Sequence, residues 1–220
     1  MIDYQLIRSN RRTLSISIDG EGSLVVRAPM RMSKQEIEAF LSQKQNWIAS
    51  KQALVRNGLE RRQSAQLAQG SAIPFRGGSL IVRFEDVSGA FDSGGSLVLP
   101  VTGDRLKNAL KWRRRRAEEL LSPRVEYWAG KTGLTAQKIS YGNAAGRWGS
   151  MTAQKSLRLN TALVHLPAEM ADYVIVHELA HIRHPDHSPA FHALVRSILP
   201  GADAIRKEMK NWSYVTRLWR

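Results

Sequence analysis

The feature that most constrains this chain is the segment HELAH at positions 177–181, with a further histidine, His187, after five intervening residues. On an α-helix, residues four apart differ by about 40° in direction and about 6 Å in height, so His177 and His181 share one face. Two imidazoles in this arrangement can bind one ion. Glu178 lies a quarter-turn away, where its carboxylate reaches the water of that ion rather than the ion itself. The segment therefore predicts a helix with a catalytic zinc site.

A third ligand follows from the geometry of the chain after this helix. Ligand nitrogens about 2.0–2.1 Å from zinc lie within about 3.5 Å of one another. His184 would lie about 10.5 Å from His177 along a continuous helix, which is too far. Pro185 disfavours helical geometry at His184, and Ser188-Pro189 is typical of the start of a new helix. His187 is thus the first histidine that can turn back to the site.

The alternative interpretation is a chance match, because the five-residue pattern is short. The histidines would then only oppose the dipole at the helix C-terminus, a role that fits His184 and that we favour for it. The helical period, the proline stop and the spacing to His187 together favour the metal site over this alternative.

Three further segments are typical of a known family. They are YGNAAGRWGS at 141–150, LRLN at 157–160 and DYVIV at 172–176, which leads into the histidine helix. With these segments the chain resembles the YgjP-like family of predicted zinc metallopeptidases, specifically over residues 139–193 and more loosely over nearly the whole chain. The ligand spacing is also similar to that of the SprT and WLM groups, peptidases tied to DNA–protein crosslink repair.

The resemblance implies the same site residues as the geometry. It implies one zinc ion per chain with His177, His181 and His187 as metal ligands, and Glu178 as the general base. One departure is Met151, which stands where the family commonly has cysteine. This substitution argues against an essential thiol at that position and leaves the three histidines untouched.

The fold class expected on these grounds is α+β. We expect an N-terminal, mainly antiparallel β region with one long helix over residues 1–102. A helical, zincin-like catalytic region with the HELAH helix should follow over residues 103–220. The two regions are expected to form one compact unit, because the chain is short enough for a single large domain.

Several local elements are also predicted. The patterns indicate a hairpin around Asp19-Gly20, a capping box of Ser33 with Glu36, a basic helix from about Asp104, a break or restart of that helix at Ser122-Pro123, and a strand over 157–163. Resemblance to zinc peptidases implies that this strand borders the cleft, where it could pair with an extended peptide; the alternative is an internal core strand.

The net charge of +14 is concentrated in one segment. Seven of the twelve residues from Arg105 to Arg116 are Lys or Arg, and Trp112 lies among them. One interpretation is a nucleic-acid or polyanion contact through Arg113, Arg114, Arg115 and Arg116, with Trp112 stacked on a base. The other, which we favour, is a solvated helix face whose aromatic residue packs inward.

Composition excludes several classes of protein. With no cysteine, disulfides and thiolate ligands are ruled out, which leaves histidine and carboxylate as metal ligands. Residues 1–12 contain no apolar signal segment, and no apolar run is long enough to span a bilayer. We therefore expect a cytoplasmic protein without a membrane partner, and the sequence does not predict its oligomeric state.

The transition state and the ligand orientation need further residues. Candidates for stabilising an oxyanion are Arg147, Tyr141 and His192. Candidates for orienting the zinc histidines through their outer nitrogens are Asp172, Asn160 and His165.

Three functions are compatible with these residues. The first is a zinc metallopeptidase acting on a peptide or protein. The second is a metal-dependent nucleotide phosphohydrolase of the pyrophosphatase type, since a metal-activated water also attacks phosphorus and the positive charge attracts triphosphates. The third is a nucleic-acid-associated module whose metal site is mainly structural, although a fourth ligand is not evident beyond Asp186.

Overall fold

The predicted hairpin forms between two strands of a small N-terminal sheet in the computed structural model, which describes residues 3–219. Strands β1 (Gln5–Ser9), β2 (Ser15–Ile18) and β3 (Leu24–Pro29) have the order β1-β3-β2. At the hairpin turn, Asp19 Oδ1 accepts hydrogen bonds of 2.9 Å from the amides of both Glu21 and Ser23. Strand β2 is antiparallel to β3, whereas β1 is parallel to it.

Two helices follow where one long helix was expected. Helix α1 (Lys34–Gln43) begins with the predicted capping box of Ser33 and Glu36, and it ends at Lys44. Helix α2 (Gln45–Ser64) continues from there. The apolar faces of α1 and α2 pack on β3 around the buried residues Leu24, Val26, Ala28, Ile37, Leu41 and Ile48.

A four-stranded sheet follows along the chain. It consists of β4 (Ala72–Phe75), β5 (Gly78–Glu85), β6 (Phe91–Ser93) and β7 (Ser96–Pro100), in the order β4-β5-β7-β6. Strands β5 and β7 are parallel, and the two outer pairings are antiparallel. The sheets of the N-terminal region are therefore mixed, with antiparallel pairings in the majority, and the α+β class is confirmed.

Helix α3 (Arg105–Thr132) is the basic helix and begins where it was predicted, and Asp104 caps its N-terminus. The predicted break at Ser122-Pro123 is wrong, since the helix continues through Pro123. The reason is a long buried stripe, Ala109, Trp112, Ala117, Leu121, Val125 and Trp128, which packs into the core on both sides of the proline. This packing outweighs the loss of one helical hydrogen bond.

The contacts of the described residues divide the chain into two units between Arg61 and Arg62. The expected boundary at residue 102 falls instead between β7 and α3. These two elements are in contact and contribute to the same hydrophobic core.

The remainder of the chain forms the part that carries the histidines. Its elements are β8 (Lys138–Gly142), β9 (Gly149–Met151), β10 (Ser156–Asn160), a 3-10 helix (Thr161–His165), α4 (Ala168–Ala180), α5 (Pro189–Ile198), α6 (Ala202–Glu208) and a second 3-10 helix (Met209–Arg217). Among the described residues, no helix combines the length and apolar character needed to cross a membrane.

The third sheet corrects the prediction about the cleft strand. Its order is β8-β10-β9, with β10 parallel to β8 and antiparallel to β9. The strand expected to border the cleft, β10, is therefore internal. Strand β9 occupies the edge instead, and all three of its residues line the cleft beside α4.

Candidate active site

Helix α4 and the start of α5 bring the three sequence-predicted histidines together. Helix α4 carries His177 and Glu178 and ends at Ala180, so that His181 is its C-cap. The chain then turns and re-enters a helix at Pro189, where the Ser188 hydroxyl accepts from the Phe191 amide at 3.4 Å. His187 thus lies at a helix–turn–helix corner, as the Ser188-Pro189 pattern predicted.

The nitrogens of these histidines converge. One ring nitrogen from each of His177, His181 and His187 lies within 4.8 Å of the others. The Nε2 atoms of His177 and His187 are 3.2 Å apart. Nitrogen ligands about 2.0–2.1 Å from a tetrahedral zinc ion are separated by about 3.5 Å or less. The three imidazoles therefore fit a single ion of that size, after small rotations of the rings.

The protonation of the rings also suits metal binding. The Nδ1–H group of His181 donates to the carbonyl oxygen of His184 at 3.0 Å, which leaves the Nε2 lone pair unprotonated. Burial lowers the pKa of His177 to about 4, and the charges of neighbouring histidines act in the same direction. Neutral imidazole is the form that binds zinc.

Phe191 forms the support beneath this cluster. Its ring is fully buried, and its centroid is 4.8 Å from that of His177, 4.5 Å from that of His181 and 5.0 Å from that of His187. One aromatic side chain therefore restricts the rotation of all three imidazoles. Sequence reasoning did not assign it this role, because the contacts depend on how α5 packs against α4.

Glu178 lies beside the histidines under strand β9. The side chain is only 7% exposed, and burial raises its pKa to about 7, against the opposing effects of the Arg147 charge and the Met151 backbone. The strand approaches so closely that a Cβ atom at Gly149 would be 2.8 Å from Glu178 Cγ and 2.9 Å from Oε1. Glycine at this position gives the carboxylate its space.

The three candidates for oxyanion stabilisation divide between two cavities. Arg147 and His192 line the cleft of about 830 Å³ that contains the histidines and Glu178. Tyr141 does not, because its hydroxyl bonds to Ser122 Oγ at 2.8 Å and its side chain lines a different cavity. The assignment of Tyr141 to the transition state is therefore not supported by its position.

The candidates for orienting the histidines have other partners. Asp172 forms a two-pronged ion pair with Arg124 of α3. Asn160 donates to the carbonyl oxygens of Ala144 and Arg147, each at 2.7 Å, and so holds the β8–β9 loop. His165 Nδ1 donates to the Pro74 carbonyl at 2.6 Å, in a fully buried position.

No hydrogen bond orients His177 within the part of the chain that the structure describes. Its Nδ1 atom is buried and has no hydrogen-bond partner among those residues. The hydrogen bond from His181 to the carbonyl of His184 is thus the orienting contact that the structure provides. Sequence reasoning missed it because the acceptor is a backbone atom.

The basic segment of α3 is largely paired within the chain. Arg114 pairs with Glu118, and both Arg115 and Arg116 pair with Glu119. Arg113 is only 2% exposed. Trp112 is fully buried, and its Nε1–H donates to Asp92 at 2.7 Å, so it cannot stack on a base. The inward-facing interpretation of Trp112 is confirmed.

Several residues of the cleft were not found from the sequence. They are Trp148, Tyr173, Arg206, Met209, Lys210 and Ser213. The sequence does contain a signal for Tyr173. This residue is four positions before His177 and therefore lies on the same face of helix α4. Trp148 lies directly before β9, and the other four come from the C-terminal helical segments, whose packing against α4 no local pattern reveals.

Comparison with known proteins places the chain in a family. The model of the YgjP-like metallopeptidase domain matches residues 12–212. The chain belongs to the YgjP-like metallopeptidases. The match includes every residue of this YgjP-like cleft named above except Ser213.

Among solved structures, the metallopeptidase zymogen abylysin of Pyrococcus abyssi is similar to part of the YgjP-like chain. The sequence identity is 23% and the TM-score is 0.37, over 41% of this chain and 93% of that one. No curated protein matches the chain.

Proposed function

We propose that this protein is a zinc-dependent peptidase whose metal is held by His177, His181 and His187, with Glu178 as general base. The observation that carries the proposal is the convergence of three imidazole nitrogens within 4.8 Å, next to a buried carboxylate on the same helix. Membership of a metallopeptidase family supports the same reaction class.

The donor set favours zinc among the divalent ions. Imidazole nitrogen suits zinc, copper, iron and nickel, whereas calcium and magnesium prefer oxygen ligands. Three protein ligands leave a coordination position for water and substrate, which is the pattern of catalytic rather than structural zinc sites. Bound zinc supplies a Lewis acid that polarises a carbonyl and lowers the pKa of water to about 7.

Glu178 provides the proton transfers. As the attacking water approaches the scissile carbonyl carbon, the carboxylate takes its proton, and it then delivers that proton to the leaving amine. The burial that raises the pKa of Glu178 to about 7 matches a group that must both accept and release a proton near neutral pH.

Arg147 and His192 are the side chains to which we assign the stabilisation of negative charge on the carbonyl oxygen. Both line the cleft, and the charge of Arg147 opposes part of the effect by which burial raises the pKa of Glu178. A cation directed at the developing oxyanion stabilises the transition state more than the ground state.

Strand β9 is the surface on which we place the substrate. Within the described chain, β10 pairs with one edge of β9 and no strand pairs with the other. An extended peptide can add to such an edge by backbone hydrogen bonds. This would lay a scissile bond across the cleft between β9 and the histidines of α4.

The test compares wild type with Glu178→Gln on two substrates, an unfolded protein and a nucleoside triphosphate, both in the presence of zinc. We expect wild type to release new amino termini and Glu178→Gln to be slower by about 10²–10⁴-fold, because the general base is lost. Phosphate release from the triphosphate by wild type, without peptide cleavage, would contradict the proposal and favour a phosphohydrolase.

A further inference from the structure

A second cavity, of about 490 Å³, lies between the first turns of α3 and the C-terminal ends of β8 and β10. No residue that lines it in the described chain also lines the cleft of the histidines. Its volume is within the range of about 300–1,000 Å³ found for ligand-binding pockets. Neither the family match nor the proposed peptidase reaction assigns it a role.

The walls of this cavity are strongly positive. Lys107, Lys111, Arg114 and Arg158 line it, and all four side chains are exposed. Within residues 3–219, Lys107, Lys111 and Arg158 form no ion pair with a carboxylate. Three uncompensated cations around one concave surface raise the local concentration of anions.

The acidic lining does not cancel this charge. Asp104 is the one carboxylate that lines the cavity in the described chain, and its Oδ1 accepts from the backbone amide of Lys107 at 2.9 Å as the cap of α3. Arg113 adds a buried guanidinium to the lining, and its Nη1 donates to the carbonyl oxygen of Leu218 at 3.3 Å. The cavity therefore keeps an excess of positive charge.

The guanidinium of Arg158 lies against the backbone of a glycine. Its guanidinium lies so close to the backbone of Gly142 that a Cβ atom there would be 2.6 Å from Arg158 Nε and 2.9 Å from Cζ. Any larger residue at position 142 would displace the guanidinium. Asn143 and Thr161 add neutral hydrogen-bond donors to the same lining.

From this arrangement we propose that the cavity binds phosphate groups, through Lys107, Lys111 and Arg158. Guanidinium and ammonium groups form charge-assisted hydrogen bonds with phosphate oxygens, and arginine can do so with two parallel bonds. The phosphates can belong to a free oligophosphate or to single-stranded nucleic acid. This site replaces the Arg113–Arg116 cluster as the anion contact of α3, and it does not depend on the metal site.

The test measures binding of two probes to the full chain at low salt. They are tripolyphosphate, by calorimetry, and a short fluorescein-labelled single-stranded oligonucleotide, by anisotropy. The cavity variant is Lys107→Gln/Lys111→Gln/Arg158→Gln. The control variant, Lys138→Gln/Lys207→Gln/Arg217→Gln, removes the same charge from exposed positions outside the cavity.

We expect the affinity for the bound probe to fall about ten-fold or more in the cavity variant and to stay within about two-fold in the control. For the oligonucleotide, the slope of log K against log salt should fall by about 2, since three phosphate contacts contribute about 0.7 each. If tripolyphosphate binds, a free oligophosphate is sufficient to occupy the cavity. If only the oligonucleotide binds, the phosphate groups that the cavity recognises belong to nucleic acid.

Equal losses in the cavity and control variants would overturn the proposal, because net charge rather than this cavity would then govern binding. Failure of wild type to bind either probe would overturn it as well. The double variant Lys107→Gln/Lys111→Gln keeps the packing of Arg158 on Gly142. It should show an intermediate loss with an unchanged unfolding temperature, which separates binding from folding.

Discussion

At Gly149 the absence of a single methyl group gives space to Glu178, the proposed general base. The Cβ atom of Gly149→Ala would be 2.8 Å from Glu178 Cγ, so the carboxylate must move. A displacement of about 1 Å can reduce turnover by about 10²-fold. We expect kcat for peptide cleavage to be at least ten-fold lower in Gly149→Ala than in wild type. The zinc content of the variant should stay at the wild-type level.

Gly130→Ala is the matched control for this prediction, since a Cβ atom at Gly130 in α3 meets nothing within 4 Å. That variant should keep full activity. If Gly149→Ala were as active as Gly130→Ala, the position of Glu178 would not matter to the reaction, and its role as base would be wrong.

His165 predicts how stability depends on pH. Burial, followed by the charge of Arg113, lowers the pKa of this histidine to about 3, from an ordinary value of 6.5. Below pH 6.5 the unfolded chain binds a proton at His165, whereas the folded chain does not. The contribution of neutral His165 to the free energy of unfolding is therefore fully present above that pH. It is lost as the pH falls towards 3, by up to about 1.4 kcal/mol per pH unit.

The measurement is the free energy of unfolding of wild type and His165→Asn between pH 7 and pH 4. We expect wild type to lose roughly 3 kcal/mol more than the variant over this interval. Parallel pH profiles for the two proteins would show that His165 is not held neutral by the fold.

Single residues of the site were predictable where the signal is local. The spacing of His177, His181 and His187 follows from helical geometry and a proline stop, and the structure brings these three rings together. The support from Phe191 and the close approach of Gly149 depend on contacts between separate elements. No rule of spacing contains that information.

At the scale of elements, the pair Arg124–Asp172 joins α3 to the site helix α4. Asp172→Asn removes the charge from a side chain whose residue is only 8% exposed. We expect the free energy of unfolding to fall by about 1–2 kcal/mol, because a charge-assisted hydrogen bond is lost. The zinc content should not change.

The control is Glu126→Gln, which removes an exposed carboxylate from α3, the helix of Arg124. We expect it to leave both the free energy of unfolding and the zinc content near the wild-type values. A loss of zinc affinity in Asp172→Asn without a loss of stability would contradict the structural role. It would restore the interpretation that Asp172 orients a zinc ligand.

The elements themselves were predictable to different degrees. The hairpin turn at Asp19, the capping box of Ser33 and the start of α5 at Ser188 depend on neighbouring residues, and each was confirmed. The continuity of α3 through Pro123 and the parallel pairing of β5 with β7 depend on the core. Tertiary packing decided these features against local propensity.

At the scale of the whole molecule, metal binding is linked to stability. The three histidines come from α4 and from the turn before α5, so an ion bound to all of them holds these elements together. A ligand at one hundred times its Kd adds about 2.7 kcal/mol to the free energy of unfolding. Zinc should therefore raise the unfolding temperature of wild type, and a chelator should reverse the rise.

His187→Ala is the variant that isolates this effect, since it removes one exposed imidazole and leaves the buried core intact. Its unfolding temperature should respond far less to zinc. An equal rise in both proteins would place the stabilising zinc at another site.

The distribution of the net charge of +14 is also a property of the whole molecule. Much of the positive charge of α3 is paired with carboxylates of the same helix, such as Glu118 and Glu119. Composition revealed the excess but not its distribution, because pairing depends on which side chains meet. Lys107 and Lys111 of α3 and Arg158 of β10 are among the cations that form no ion pair within the described residues.

The most direct test of the central claim is the metal content of purified wild type, His187→Ala and Glu178→Gln after reconstitution with zinc. We predict about one zinc ion per chain in wild type, far less in His187→Ala, and the full content without turnover in Glu178→Gln. A wild-type protein that binds no divalent metal, or a His187→Ala variant that binds as much as wild type, would contradict the account.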